Sequence, residues 1–191
     1  TGPELRNRLY SRGAVKALAG HNAEQRYTDT MRTAPARDGL DRAQYADIKH
    51  YLPGDILTKI DRTSMAVGLE AREPLLDHRL VQFAATLPPS LRIRGGQGKW
   101  LLKKAMAPWL PRDILYRPKM GFVTPVSAWF RTALADEAAR LARSRVLGGT
   151  GWFDMPVIAT LAADHRAGRA DHGRTLWQLL MLERSLARLF G

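Results

Sequence analysis

Asp55-Ile-Leu-Thr-Lys-Ile-Asp-Arg-Thr-Ser-Met-Ala66, followed by Gly68-Leu-Glu-Ala-Arg-Glu-Pro-Leu-Leu-Asp77, sets the fold class and marks a candidate site. Ile56, Leu57, Ile60 and Ser64 recur at intervals of three and four, the period of a helix. A plain amphipathic helix would place its charges opposite that stripe. Asp61 instead lies at its edge, one turn from both Leu57 and Met65, with Lys59 and Arg62 beside it. Ser64, Ala66 and Gly68 are small enough to let another backbone approach. Pro74 disfavours helix at Glu73, so the chain turns into extended backbone there and holds Glu70 and Arg72 near the turn. A surface helix with an Asp55–Lys59 pair, followed by an ordinary loop, accounts for the same residues.

Helical spacing continues on both sides. Tyr45, Ile48 and Leu52 form a stripe expected to end at Pro53-Gly54, and Leu80, Phe83, Ala84 and Leu87 form another, capped by Asp77 and stopped by Pro88-Pro89. Gly95-Gly-Gln-Gly98 opens a helix carrying Leu101, Leu102, Ala105 and Met106. Trp129, Phe130, Leu134, Ala138 and Leu141 predict one longer helix, and Asp154 with Pro156 predicts a start for Val157–His165. The last helix runs from about Gly173 to Leu189, with Leu176, Leu179, Leu180, Leu186 and Phe190 inward. The expectation is one mainly α domain over residues 1–191, with its core over 40–147 and a looser helical tail over 148–191.

The 191 residues, 45% hydrophobic and 25% charged, are ample for a globular core. No apolar run approaches the roughly 18–20 residues of a membrane span, and no secretory pattern opens the chain. Zero cysteines exclude disulfides, thiolate metal ligands and a cysteine nucleophile within these residues, which fits the cytoplasm. No metal-ligand spacing is read. The first residue is Thr1 rather than Met, which suggests a processed or excised piece. The net charge of +12 implies attraction to polyanions, to a nucleotide's phosphates or to an acidic portion of the same protein. The arginines are scattered and carry no helix-turn-helix, zinc or RNP signature, which argues against nucleic-acid binding as the primary role.

A second cluster is Arg117-Pro-Lys-Met-Gly-Phe122. Pro118 biases Arg117 toward an extended entry, Gly121 permits close approach, and Pro125 stiffens the exit. The result is a constrained loop presenting one ammonium, Lys119, whose compact charge suits a developing phosphoryl or pyrophosphate oxygen. A surface loop anchored by Phe122 is the alternative.

Tyr51-Leu-Pro-Gly-Asp-Ile-Leu-Thr-Lys-Ile-Asp-Arg-Thr-Ser-Met-Ala66, Leu69-Glu-Ala-Arg-Glu-Pro-Leu-Leu-Asp-His78, Gly98-Lys-Trp-Leu-Leu-Lys-Lys104 and Leu115-Tyr-Arg-Pro-Lys-Met-Gly-Phe122 together resemble the synthetase domain of glutamine-dependent asparagine synthetases. Asp171-His-Gly-Arg-Thr-Leu-Trp-Gln-Leu-Leu-Met-Leu-Glu183 resembles the closing helix of its bacterial branch, which includes polysaccharide-associated amidotransferases. Glu73 stands where an apolar residue is common in that family. The resemblance implies the helical carboxy-terminal portion of an α/β synthetase domain of the adenine-nucleotide-hydrolase, ATP-pyrophosphatase type. It implies an enzyme that adenylates a carboxylate such as aspartate's with ATP and Mg2+, releasing pyrophosphate. Ammonia from a glutaminase domain then displaces AMP. Lys119 becomes the pyrophosphate-loop lysine and Asp61 a wall of the acyl-adenylate pocket, with Arg62, Glu70, Arg72, Asp77 and Arg117 as supporting charges.

Ser-Gly-Gly-x-Asp-Ser, whose backbone N–H groups would cradle pyrophosphate, does not occur in the chain, nor does a Glu-Gly-x-Asp-Glu segment. In the resembled family both precede this region, as does the glutaminase, so those parts are the expected partners and hold most of the ATP and Mg2+ contacts. The isolated 191 residues are expected to lack synthetase activity. The acceptor carboxylate stays open, as does self-association into a homo-oligomer. A stand-alone helical interaction module or a polyanion-binding module is the rival reading.

Overall fold

The computed structural model describes residues 1–118, 121 and 124–190. It is mainly helical, with one two-stranded hairpin among the described residues, and divides into two compact units: Thr1–His21 with Met120–Gly191, and Asn22–Lys119.

The first unit holds α1 (Pro3–Leu9), α2 (Arg12–Leu18), α10 (Val126–Trp129), α11 (Ala135–Leu141), α12 (Arg145–Gly149), α13 (Met155–Arg166) and α14 (Gly173–Phe190). Its core follows from helical spacing. Ile158, Leu161 and Ala162 on α13 and Leu176, Leu179 and Leu180 on α14 fall at intervals of three and four, and all are buried against Phe130, Leu141 and Leu147. Burying each large aliphatic or aromatic side chain contributes about 1.5–3 kcal/mol. Leu9 joins this cluster because Asp154 N–H donates to Leu9 O at 2.8 Å and Ser11 N–H to Trp152 O at 2.9 Å, holding the end of α1 against the entry to α13. Asp154 caps α13 as its sequence position predicts, accepting from Val157 N–H at 3.3 Å.

The second unit holds α3 (Ala23–Thr33), α4 (Gly39–Ala46), a π-helical segment (Asp47–Leu57), α5 (Thr58–Met65), a 3-10 turn (Pro74–Leu76), α6 (His78–Thr86), α7 (Pro89–Arg92), β1 (Ile93–Arg94), β2 (Gln97–Gly98), α8 (Trp100–Met106) and α9 (Arg112–Tyr116). The helix expected to end at Pro53-Gly54 does not end there. The wider π turn runs through Pro53, and Thr58 Oγ1–H donates to Pro53 O at 2.7 Å. Asp77 caps α6 as expected, and β1 and β2 turn through Gly95 and Gly96, both at positive φ (57° and 74°), which glycine adopts without strain. Arg92, with a side chain 10% exposed, ties α7 to α4 through Asp41 and Gln44.

Two further expectations are corrected. The single helix expected from Trp129 to Leu141 is two, α10 and α11, with turns over 130–134 that bury Phe130 between them. Phe190 is 81% exposed, because α14 outruns the core at its end. The buried side chains concentrate on α11–α14, whereas Ile48, Tyr51, Met65, Leu69 and Phe83 of the second unit are exposed, and only Ala46 there is a buried apolar residue among the described ones.

Candidate functional site

Asp61 and Arg62 lie in the middle of α5, both exposed, and neither side chain has an ion-pair partner among the described residues. One turn earlier, Lys59 Nζ meets Asp55 Oδ1 at 2.5 Å, the expected i,i+4 pair, and that hydrogen bond holds the Lys59 pKa above its ordinary value. Lys59 is thereby neutralised locally, which leaves Asp61 and Arg62 as the free charges of this helix.

Beyond α5 the chain turns at Gly68, whose φ of 70° favours glycine, and Leu69 N–H donates back to Ser64 O at 3.0 Å. Glu70 and Arg72 then pair with each other on the surface, Arg72 Nη2 to Glu70 Oε1 at 2.9 Å. At this exposure the pair contributes little stability. Glu73 is extended with φ −111° and ψ 89°, as its position before Pro74 predicts. Asp77 is fully engaged: its carboxylate accepts the Arg79 backbone N–H at 2.9 Å and the Arg79 guanidinium at 3.1 and 3.2 Å. Those Arg79 bonds hold its carboxyl below the usual carboxylate range. Asp77 is therefore a helix cap first, and any help it gives a pocket passes through α6.

Arg117 terminates α9 with extended backbone (φ −57°, ψ 147°), as Pro118 requires, and lines a shallow surface depression with Arg112, Asp113 and Tyr116. Lys119 lies outside the described residues, as does Phe122. Among the described residues no group of three or more His, Asp or Glu is placed to hold a metal ion. No helix among them is long and apolar enough to cross a membrane.

A cleft of about 540 Å3 in the second unit is walled by Tyr45, Ile48, Tyr51, Leu52, Leu80 and Ala84, with Asp41 and Arg92 at its polar end. None of the site residues read from sequence lines it. Its walls are mostly apolar, its Asp41–Arg92 ion pair is already made, and Arg37 and Asp47 add exposed charges to its lining.

Sequence reading passed over a polar group in the first unit. His165, with no exposure, lies among Ser127, Asp171 and His172, and all of them join the start of α10 to the start of α14. Asp171 and Gly173 ahead of an apolar stripe are the only advance signal, that of a helix entry.

The asparagine synthase family model matches residues 2–187. The chain belongs to that family. A Mycobacterium tuberculosis protein assigned provisionally as a glutamine-hydrolysing asparagine synthetase is 34% identical over 173 residues, covering 87% of this chain and 26% of its own length. Glutamine-hydrolysing asparagine synthetase 1 of Bacillus subtilis is 28% identical over 179 residues, 91% of this chain and 28% of its own. The hamster (Cricetulus griseus) glutamine-hydrolysing asparagine synthetase is 37% identical over 105 residues, 51% of this chain and 18% of its own. The chain thus spans about a quarter of the length of the first two relatives. No solved structure matches it.

Proposed function

We propose that these residues are the carboxy-terminal part of the synthetase domain of an ATP-dependent amidotransferase, which converts a carboxylate, aspartate foremost, to its amide with ammonia drawn from glutamine. The observation that carries this reading is the family match over residues 2–187, within which the Asp61 and Lys119 motifs stand in the order the resemblance requires. In the first step the substrate carboxylate oxygen attacks the α-phosphorus of ATP, and pyrophosphate leaves. In the second, ammonia attacks the acyl carbon, AMP leaves, and the nitrogen loses a proton.

Lys119 would place a compact positive charge where pyrophosphate oxygens gain negative charge in the first step. Asp61, exposed and unpaired on a rigid helix, would line the pocket that receives the acceptor, with Arg62 next to it. Glu70, Arg72 and Arg117 supply surrounding field, and Asp77 acts by holding α6. The phosphate cradle and the bulk of the ATP and Mg2+ contacts would come from an amino-terminal portion with an α/β sheet. Support for such a portion comes from the second unit, where Ile48, Tyr51, Leu69 and Phe83 are at least 47% exposed, more apolar surface than a finished unit leaves open. On this reading the 191 residues alone form no asparagine from aspartate, ATP and ammonia, whereas the full gene product does. Detectable amide formation by the isolated chain would overturn the division of the site.

One observation favours a second reading. Within 94–117, Arg94, Lys99, Lys103, Lys104, Arg112 and Arg117 stand beside a single acid in sequence, Asp113, while Trp100 lies under Arg94 and Lys104 and Tyr116 under Lys103 and Arg112. With Trp109 77% exposed, this segment has the basic and aromatic make-up of a polyanion-binding surface. Binding of an arbitrary single-stranded oligonucleotide with a steep salt dependence would favour it.

A further inference from the structure

Ala107-Pro-Trp-Leu-Pro111 joins α8 to α9, and residues 108–111 are all exposed. Trp109 is 77% exposed and Leu110 40%, with Ile114 on α9 at 47%. An indole left open at a turn is unusual, because a ring of that size gains most from burial. The backbone of this tip is closed. Trp109 N–H and Leu110 N–H both donate to Met106 O, at 2.9 and 3.0 Å, and Pro108 and Pro111 carry no N–H. The tip thus presents apolar side chains, and no N–H loses a water partner when it leaves water.

Cations stand on both sides of the tip. Lys103 Nζ and Arg112 Cζ each lie 5.2 Å from the centroid of the Tyr116 ring, so the cations before and after the tip meet on one side chain. Lys104 Nζ and Arg94 Cζ lie 5.4 and 4.9 Å from the centroid of Trp100. Among the described residues none of these four pairs with a carboxylate. Within 99–117 five cations stand against one acid, Asp113.

These contacts discriminate among polyanions. A single-stranded nucleic acid binds by stacking successive bases on open aromatic faces. Trp100 and Tyr116 already hold two cations each, which leaves Trp109 as the open ring of the segment. An anionic bilayer asks for a different set: an indole, which settles at the level of the headgroups, an apolar neighbour, and lysine and arginine beside them to meet lipid phosphates. A single apolar anchor holds a protein to a membrane only marginally, and a basic patch supplies the second signal. Resting on the second reading above and narrowing its polyanion to one kind, we propose that residues 108–111 with Lys103, Lys104 and Arg112 form a peripheral docking site for an anionic lipid bilayer. Trp109 and Leu110 enter the headgroup layer, and the three cations meet lipid phosphates. The contact is reversible and weakens with salt.

Flotation of the full gene product with lipid vesicles tests this. At about 0.1 M salt the protein is expected to float with phosphatidylcholine vesicles containing about 30% phosphatidylglycerol and not with phosphatidylcholine alone, and at about 1 M salt the association is expected to be lost. Trp109→Ala is expected to lower the partition coefficient about tenfold, and Lys104→Gln and Arg112→Gln about fivefold each. All three replace exposed side chains, so their melting temperatures are expected to match the parent's. Trp109→Tyr keeps an interfacial ring and is expected to retain most of the binding. Absence of vesicle binding, equal binding to neutral vesicles, or binding that Trp109→Ala and Lys104→Gln both leave unchanged overturns the proposal. A single-stranded oligonucleotide tested in parallel separates the bilayer from the broader polyanion reading. Oligonucleotide binding without vesicle binding overturns the bilayer and leaves that reading standing, whereas binding of neither removes both. Neither result bears on amide formation, which has its own test.

Discussion

Arg92 Nη2 stands 2.5 Å from Asp41 Oδ1 while Arg92 Nη1–H donates to Gln44 Oε1 at 2.6 Å, so one guanidinium clamps α7 to adjacent turns of α4. Both charges are largely shielded, with side chains 10% and 17% exposed, and removing one leaves the other buried without compensation. Asp41→Ala is expected to destabilise the second unit by about 3 kcal/mol, and Gln44→Ala by about 1 kcal/mol. Urea unfolding followed by the fluorescence of Trp100 and Trp109 checks both.

Helix entries were the most legible part of the fold. Asp77 and Asp154 cap α6 and α13 because a carboxylate before an apolar stripe satisfies a free helix N–H, a local interaction that needs no knowledge of the rest of the chain. Burial was less legible. The stripes of Ile48, of Phe83, and of Leu176 and Leu179 have the same period, yet only the last pair is buried, since periodicity shows which face seeks a partner and not whether one is present. Pro53 misled because the missing N–H that disrupts an α-helix is accommodated by a π turn. Of the candidate site, the free charges at Asp61 and Arg62 and the turn at Glu73 were visible from residue type and order. The His165 anchor was not, because it unites residues from three helical segments whose proximity no local pattern announces.

Core substitutions separate the two units. Leu161→Ala, at a side chain 1% exposed on α13, is expected to cost about 2–5 kcal/mol. Phe83→Ala, at one 55% exposed, should cost much less in the isolated chain. Paired thermal melts measure the difference.

Acid should weaken the first unit in two stages. Burial holds the His172 pKa below the usual histidine value, so the unfolded chain takes up this proton first; the stabilisation is complete above about 6.5 and fades as pH falls through the lowered folded value. Asp171 acts in the same sense at lower pH. The Gly173 N–H and the Ser127 hydroxyl hold its carboxyl below the usual range, so its contribution is present above the ordinary carboxylate pKa and is lost on acidification beneath it. Asp171→Asn should flatten the lower stage only, as read from denaturation midpoints between about pH 3 and 8.

Asp61 and Asp77 should part company in the full gene product. Asp77→Asn keeps an oxygen for the Arg79 N–H and should leave kcat little changed. Asp61→Asn removes an unpaired exposed carboxylate with no structural bond to lose, so a large fall in kcat/KM with an unchanged melting temperature is the expected result.

The most direct measurement is ATP- and glutamine-dependent conversion of aspartate to asparagine, with AMP and pyrophosphate followed together, by the full gene product and its Lys119→Ala variant. The proposed function predicts equal amounts of amide, AMP and pyrophosphate from the parent, and a fall of about 100-fold or more in kcat for the variant with its fold intact. No amide from aspartate or any other carboxylate tested, or full activity in Lys119→Ala, would contradict it.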